Sequence, residues 1–476
     1  MSRVTGGPLT GGTVIGGAAT GTDPAPPPLP ERGGRRIGRT VTRLRAASHS
    51  TPGRYRLWSL ATAGVLILAI VVSAVATSRM RSATQRARST SGPVLVATQQ
   101  LVASLAEADA AASAAFLSGQ NEDPEQRRLY EQALSRSGEQ VEDIASLAGD
   151  DDTIHALLSR ISFQITRYAG LVEAARATNR IPAAAADANG YLVAAVGLAD
   201  QVVKGDVQTL TQAAQESLRH DQDRRPSGFL IALLVLVAAL VVLGAGQTTV
   251  TKVSRRILNI PLAVATGLAL AALAWLALAG RSSGTAIDDA RRDGYDSIVV
   301  TAQVGREGFG AKAAETLAVI TGDAAHRADA DAGARNLATS PVTPGVAAAI
   351  RDGNSGGAPG GLIGQAAEAA DSPRERAAVA EMAARWQQYV DTVATLRQAA
   401  SPAAARAIAV GPANSTFNGF NFSVQAVLGQ NRDQFLAGLG SAADRTTSVP
   451  TGVLLLLVAA LGAMFWGFQI RIDDYR

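Results

Sequence analysis

Cysteine is absent from the 476 residues, which excludes a disulfide framework, a Cys-ligated zinc site, an iron–sulfur cluster and a thiol nucleophile. Lysine is nearly absent too: Lys204, Lys252 and Lys312 stand alone, and arginine supplies the rest of the positive charge. Aromatic residues make up 4% of the chain. The four histidines, His49, His155, His220 and His326, lie far apart, and none forms a pair with metal-ligand spacing. No metal or other cofactor is expected. Charge is missing where it would be most telling: four long apolar runs contain no ionisable side chain. That argues against a proton relay or ion pathway through them, because such functions place a costly charged group inside the membrane.

Those runs concentrate much of the 47% hydrophobic content. They cover 57–77, 229–246, 262–280 and 453–470, each close to the ~20 residues that cross a hydrocarbon core. The expected class is an all-α membrane protein with four transmembrane helices. Arg32, Arg35, Arg36, Arg39, Arg43, Arg45, Arg54 and Arg56 precede the first run, and Lys252, Arg255 and Arg256 lie between the second and third. The positive-inside rule then puts the tail 1–56, the loop 247–261 and the tail 471–476 in the cytoplasm, and 78–228 and 281–452 outside. Arg79, Arg81, Arg86 and Arg88 oppose this, but they open a long domain, where charge bias counts for less. The same membrane-flanking arginines account for the isoelectric point of 9.6, so nucleic-acid binding is not expected. Ala74-Val75-Ala76 has the form of a signal-cleavage site, yet its apolar run is too long and is preceded by too much chain. Residues 1–56 are rich in Gly, Pro and Arg, with the run Pro26-Pro27-Pro28, and read as a disordered linker.

The order span, outer domain, span occurs twice, which points to internal duplication. Val96, Thr98 and Gln100 correspond to Val299, Thr301 and Gln303. Tyr168, Val172 and Arg176 correspond to Tyr389, Val393 and Arg397, and Asn189-Gly190-Tyr191 to Asn418-Gly419-Phe420. The offset grows from 203 to 221 to 229, as insertions in loops of the second copy would require. Apolar residues at Ile154, Leu158, Ile161, Ile165, Tyr168, Val172 and Ala175 alternate by four and three, the seam of a bundled helix. Val379, Met382, Trp386, Tyr389, Val393 and Leu396 form the counterpart. Helices near 79–119, 124–148, 153–180 and 183–225 make the first outer domain a four-helix bundle whose end helices run into membrane spans. The second bundle is expected to have a fragmented second helix and a long loop between Asp323 and Asp371, where Gly, Pro and Ser interrupt the pattern.

No catalytic constellation is found, and no enzyme activity is expected. The loop Ser355-Gly356-Gly357-Ala358-Pro359-Gly360-Gly361 lacks the Gly-Lys-Ser/Thr ending of a phosphate loop. Asp329, Asp331 and Gly333 resemble the start of a calcium loop, but the spacing of the glycine and of Ser340 does not fit. Asp150-Asp151-Asp152 precedes the Ile154 stripe and reads as helix-start chemistry.

The outer bundles resemble the extracytoplasmic four-helix sensor domains of chemoreceptors and histidine kinases. The duplicated four-pass layout, with arginine in place of lysine as GC-rich coding produces, resembles actinobacterial GlnX-type membrane proteins. That resemblance rests on topology over 57–470 and implies two partners: an extracytoplasmic solute-binding lipoprotein for glutamate and aspartate, and a cytoplasmic serine/threonine protein kinase. It carries no site residues with it. The function expected is a transmembrane signal relay whose output leaves through a partner, the alternatives being an envelope scaffold and, third, a transporter subunit. Lys252, Arg255 and Arg256 are the candidate cytoplasmic partner contacts, and a homodimer is compatible with bundles of this kind. Ligand identity and the packing of one bundle on the other are left open.

Overall fold

Side-chain caps start the helices where the sequence sets a hydroxyl or carboxylate ahead of them. Asp123 accepts from the Glu125 amide ahead of Pro124, and Asp151 accepts from the amides of Thr153 and Ile154. Ser372 accepts from the Glu375 amide, and the Glu375 carboxylate reaches back to the Asp371 amide at 3.0 Å, a capping box closed one residue early. The computed structural model describes residues 51–119, 122–254 and 259–473, and every regular element within them is helical. Arg255 and Arg256, with the tail 1–50 and residues 474–476, lie outside the described residues. Lys252 falls near the end of a helix that closes at Ser254.

The first half comprises α1 (Thr51–Arg86), α2 (Gly92–Leu117), α3 (Pro124–Ala148), α4 (Asp152–Asn179), α5 (Ala185–Val202) and α6 (Gln208–Ser254). The second comprises α7 (Ile260–Asp289), α8 (Asp296–Thr321), α9 (Ala324–Leu337), α10 (Pro344–Arg351), α11 (Leu362–Ala369), α12 (Pro373–Arg397), α13 (Pro402–Val410), α14 (Pro412–Thr447) and α15 (Val449–Asp473). Between α9 and α12 the chain breaks into two short helices and a 3-10 turn. Gly361 leads into α11 at φ 84°, where a side chain would also press on the Asn336 and Leu337 carbonyls. Asp329 and Asp331 lie on α9, in regular helix, and Asp331 is paired to Arg397.

The apolar runs on α1, α6, α7 and α15 are long and apolar enough to cross a membrane, which fits a multi-pass membrane protein. These helices form a ring in which α1 packs on α6 and α15, and α7 packs on the same two. Leu66, Leu236, Leu243, Leu276 and Leu457 fill its centre, while Leu60, Leu234, Leu278 and Trp466 point outward as lipid-facing side chains would. Gly280 against Phe229 and Gly452 against Trp275 allow helices to approach closely, as small residues do in membranes.

The ring continues into a membrane-distal helical unit. α1 passes into α2 through the π-helical turn Ala87–Ser91, α5 into α6 through Val203–Val207, and α7 into α8 through Ala290–Tyr295. Such turns accommodate an extra residue without ending the helix. The first and third are related by the offset of 203 that joins Val96 to Val299, since Ala87 falls on Ala290. α14 passes close to both: Leu439 lies against Gly92, Gly438 against Ala290, and a side chain at Gly294 would stand 2.8 Å from Phe435 Cα.

The two halves share a core. Tyr295 and Phe435 join Leu95, Ile154 and Tyr168 in one cluster, and α2 packs lengthwise on α8. As a result 22 of the 26 residues of α2 are buried, which accounts for a composition that is apolar on every face. The predicted stripes face inward: Ile154, Leu158, Ile161, Tyr168, Val172 and Ala175 are buried and Ile165 partly so, while Val379, Met382, Trp386, Tyr389 and Leu396, with Val393 partly buried, line a second cluster. The match of Tyr191 to Phe420 holds in sequence but not in burial, for Phe420 packs on Trp386 whereas Tyr191 is 43% exposed.

Candidate functional site

Where α2 and α8 run together, two clefts open on the seam, and the repeat relates them. The larger, about 560 Å³, lies between α2, α5, α8 and α9 and contains Asp109, Asp200, Arg306, Glu307 and His326. The smaller, about 280 Å³, lies between α8, α14, α2 and α3 and contains Lys312. Exchanging the halves turns one set of helices into the other. At the offset of 203, Asp109 and Lys312 occupy the same position on α2 and α8. Each lies beside the tyrosine matched between the halves, Tyr168 for Asp109 and Tyr389 for Lys312.

The equivalent positions thus carry opposite charges. Asp109 is partly open to its cleft, but its Oδ1 is sealed from solvent and has no hydrogen-bond partner. Burial first, and the charge of Asp200 second, push its carboxyl up to about 7. The Tyr168 hydroxyl faces this carboxyl and eases its ionisation, although the two stand outside hydrogen-bond geometry. Lys312 is 4% exposed, and burial draws its ammonium down to about 8 against the opposing pull of Glu315. Its Nζ lies 5.8 Å from the Tyr389 ring centre, a cation–π contact.

The matched arginines anchor each half differently. Arg176, 8% exposed, pairs with Glu122 and Glu173 and lies over the Tyr130 ring. Arg397 clamps Glu315 and Asp331, joining α12 to α8 and α9. The bond to Glu315 is the main reason the Arg397 guanidinium holds its proton even more firmly than usual.

Residues 83–223 match the actinobacterial sensor domain family model. A sensing role follows for this part of the chain. The sensor match begins near the membrane-distal end of α1, takes in Asp109, Tyr168 and Asp200, and stops just before the apolar run of α6. No curated protein and no solved structure matches the chain. The sequence points to Lys252, Arg255 and Arg256, of which the last two lie outside the described residues, and to neither Asp109 nor Lys312. The signal that reaches the latter pair is the 203 offset carried past Gln100, where an Asp meets one of the three lysines.

The raised carboxyl gives a signed pH effect. Between pH 4 and 7 the folded chain holds the Asp109 proton more tightly than the unfolded chain does, so stability falls as pH rises through that window and levels off above it. Asp109→Asn should therefore melt close to wild type near pH 4 and several degrees higher at pH 8. Thermal unfolding of both proteins in lipid nanodiscs reads this difference. Equal melting points at both values would remove Asp109 as the source.

Proposed function

We propose that the protein is a transmembrane signal relay in which the membrane-distal unit lies outside the cell and the seam clefts respond to an extracytoplasmic nutrient signal. The observation that carries this reading is helical continuity: α1 with α2, and α5 with α6, run between the sensor-domain match and two membrane helices with π turns but no break. A change of packing at the seam is then transmitted as a shift of helices in the ring, provided the ligand favours one of two arrangements. The output passes to a cytoplasmic serine/threonine kinase, and the input arrives through a solute-binding lipoprotein, with Lys252, Arg255 and Arg256 as contacts on the inner face.

The absence of cysteine makes a direct test clean. Thr84 and Thr446 face each other across α1 and α14, their hydroxyls 3.0 Å apart. In a Thr84→Cys, Thr446→Cys protein, oxidation should lock this junction and abolish signal-dependent recruitment of the kinase, and reduction should restore it. Cross-linking of native membranes followed by mass spectrometry identifies the partners. Recovery of envelope-assembly proteins without a kinase or binding lipoprotein, or full recruitment in the locked protein, would refute the relay.

A further inference from the structure

The smaller cleft holds a charge that its surroundings leave unanswered. The Lys312 ammonium makes no hydrogen bond or ion pair among the described residues; it has the Tyr389 ring, and Glu315 stands one turn along the same helix. Glu315 is already clamped by Arg397. The two carboxylates on the far wall are engaged as well, Glu107 by Arg136 at 2.8 Å and Glu125 by Arg128. A buried ammonium with no hydrogen-bonding or ionic partner is costly, and it stands at a position where the related half has a carboxylate.

The rest of the lining is uncharged: Ala110, Ala111, Leu129, Phe309, Phe417 and Phe422 make it largely apolar, and amides supply its polar groups. Asn414, Asn418, Asn421 and Gln425 follow one another at helical spacing along α14 and form a ladder of amides beside Lys312. Asn421 Oδ1 is buried without a hydrogen-bond partner. Position 429, which the offset of 229 relates to Asp200, is glycine, so no carboxylate stands there to answer Lys312.

We infer that the cleft around Lys312 binds a small monocarboxylate that also carries an amide or hydroxyl group, its carboxylate on Lys312 Nζ and its polar group on the α14 amides. A single ammonium suits one planar carboxylate. A doubly charged phosphate calls for several donors, and the neighbouring arginines are occupied. The assignment adds a ligand class to the sensing role and rests on that role only for its purpose. Binding is read without any output, so failure of the relay leaves it standing, and its own failure leaves the relay standing.

Three lysines make the test specific. In full-length protein in nanodiscs, 13Cε-labelled lysine gives three signals, assigned by Lys204→Arg, Lys252→Arg and Lys312→Met. Acetate, lactate and succinamate are titrated, with inorganic phosphate and ammonium as controls. At least one carboxylate should shift the Lys312 signal saturably, with succinamate or lactate tighter than acetate. Lys312→Met should keep or raise the melting temperature, because it removes the unpartnered charge, and should weaken calorimetric affinity at least tenfold. Affinity should also fall as pH rises through about 8, where Lys312 loses its proton; the charged and titratable groups around it are Glu315, Tyr389, Arg397, Glu107 with Arg136, and Glu125 with Arg128. No shift with any of the three carboxylates, unchanged affinity in Lys312→Met, or phosphate binding as tightly as lactate would overturn the assignment.

Discussion

Arg397→Met should destabilise the protein by about 3–5 kcal/mol, the range for removing one partner of a buried ion pair. Glu315 has 6% of its side chain exposed and receives Arg397 Nε at 3.2–3.3 Å on both oxygens. Methionine fills much of the same volume, so the loss is electrostatic: a carboxylate stays buried with no cation bonded to it. Asp331 loses its partner as well, at smaller cost because it is 41% exposed. The 30% exposure of Arg397 places the effect toward the lower end of the range. Adding Glu315→Gln to Arg397→Met should recover most of the loss, since the orphaned charge is then gone. Unfolding of the two single variants and the double variant closes the cycle. A single variant within 1 kcal/mol of wild type would show that the clamp is dispensable.

Trp386→Ala should cost a similar ~3–5 kcal/mol, for a different reason. Trp386 is 1% exposed, its ring 5.3 Å from Tyr389 and 5.0 Å from Phe420, and Phe417 bridges the same two neighbours. Truncation leaves a cavity between α12 and α14 that rigid aromatic rings cannot collapse to fill. The first half offers the control. Ile165 occupies the related position and is only partly buried, so Ile165→Ala should cost much less. Trp58, Trp275 and Trp466 lie on the helices of the membrane ring, so the emission lost in Trp386→Ala reports the membrane-distal unit alone. Equal losses in Trp386→Ala and Ile165→Ala would mean that the aromatic cluster adds nothing beyond ordinary burial.

The helical class and the four apolar helices were legible because both depend on nearby residues. An uncharged run of membrane-crossing length needs no partner to declare itself, and Asp123, Asp151 and Ser372 cap helices through bonds within three residues. The fragmented stretch after α9 was legible for the same reason, since Gly, Pro and Ser act on their own backbone. The stripes at Ile154 to Ala175 and Val379 to Leu396 named their buried faces from spacing. They did not say what those faces would meet. The candidate site was scarcely legible: Asp109 sits in an alanine-rich segment that reads as a plain helix, and Lys312 in another.

By itself, then, the sequence determined the helices, their caps, the length of the apolar spans and the repeat that equates Asp109 with Lys312. Only the tertiary structure decided that α2 and α8 lie side by side, that the halves share a core, and that these two charges are withdrawn from water into opposite clefts. The reason is range. A cap or an apolar period is settled within a few residues, whereas the burial that perturbs Asp109 and Lys312 comes from helices far away in the chain, brought together where small side chains let α2 approach its neighbours.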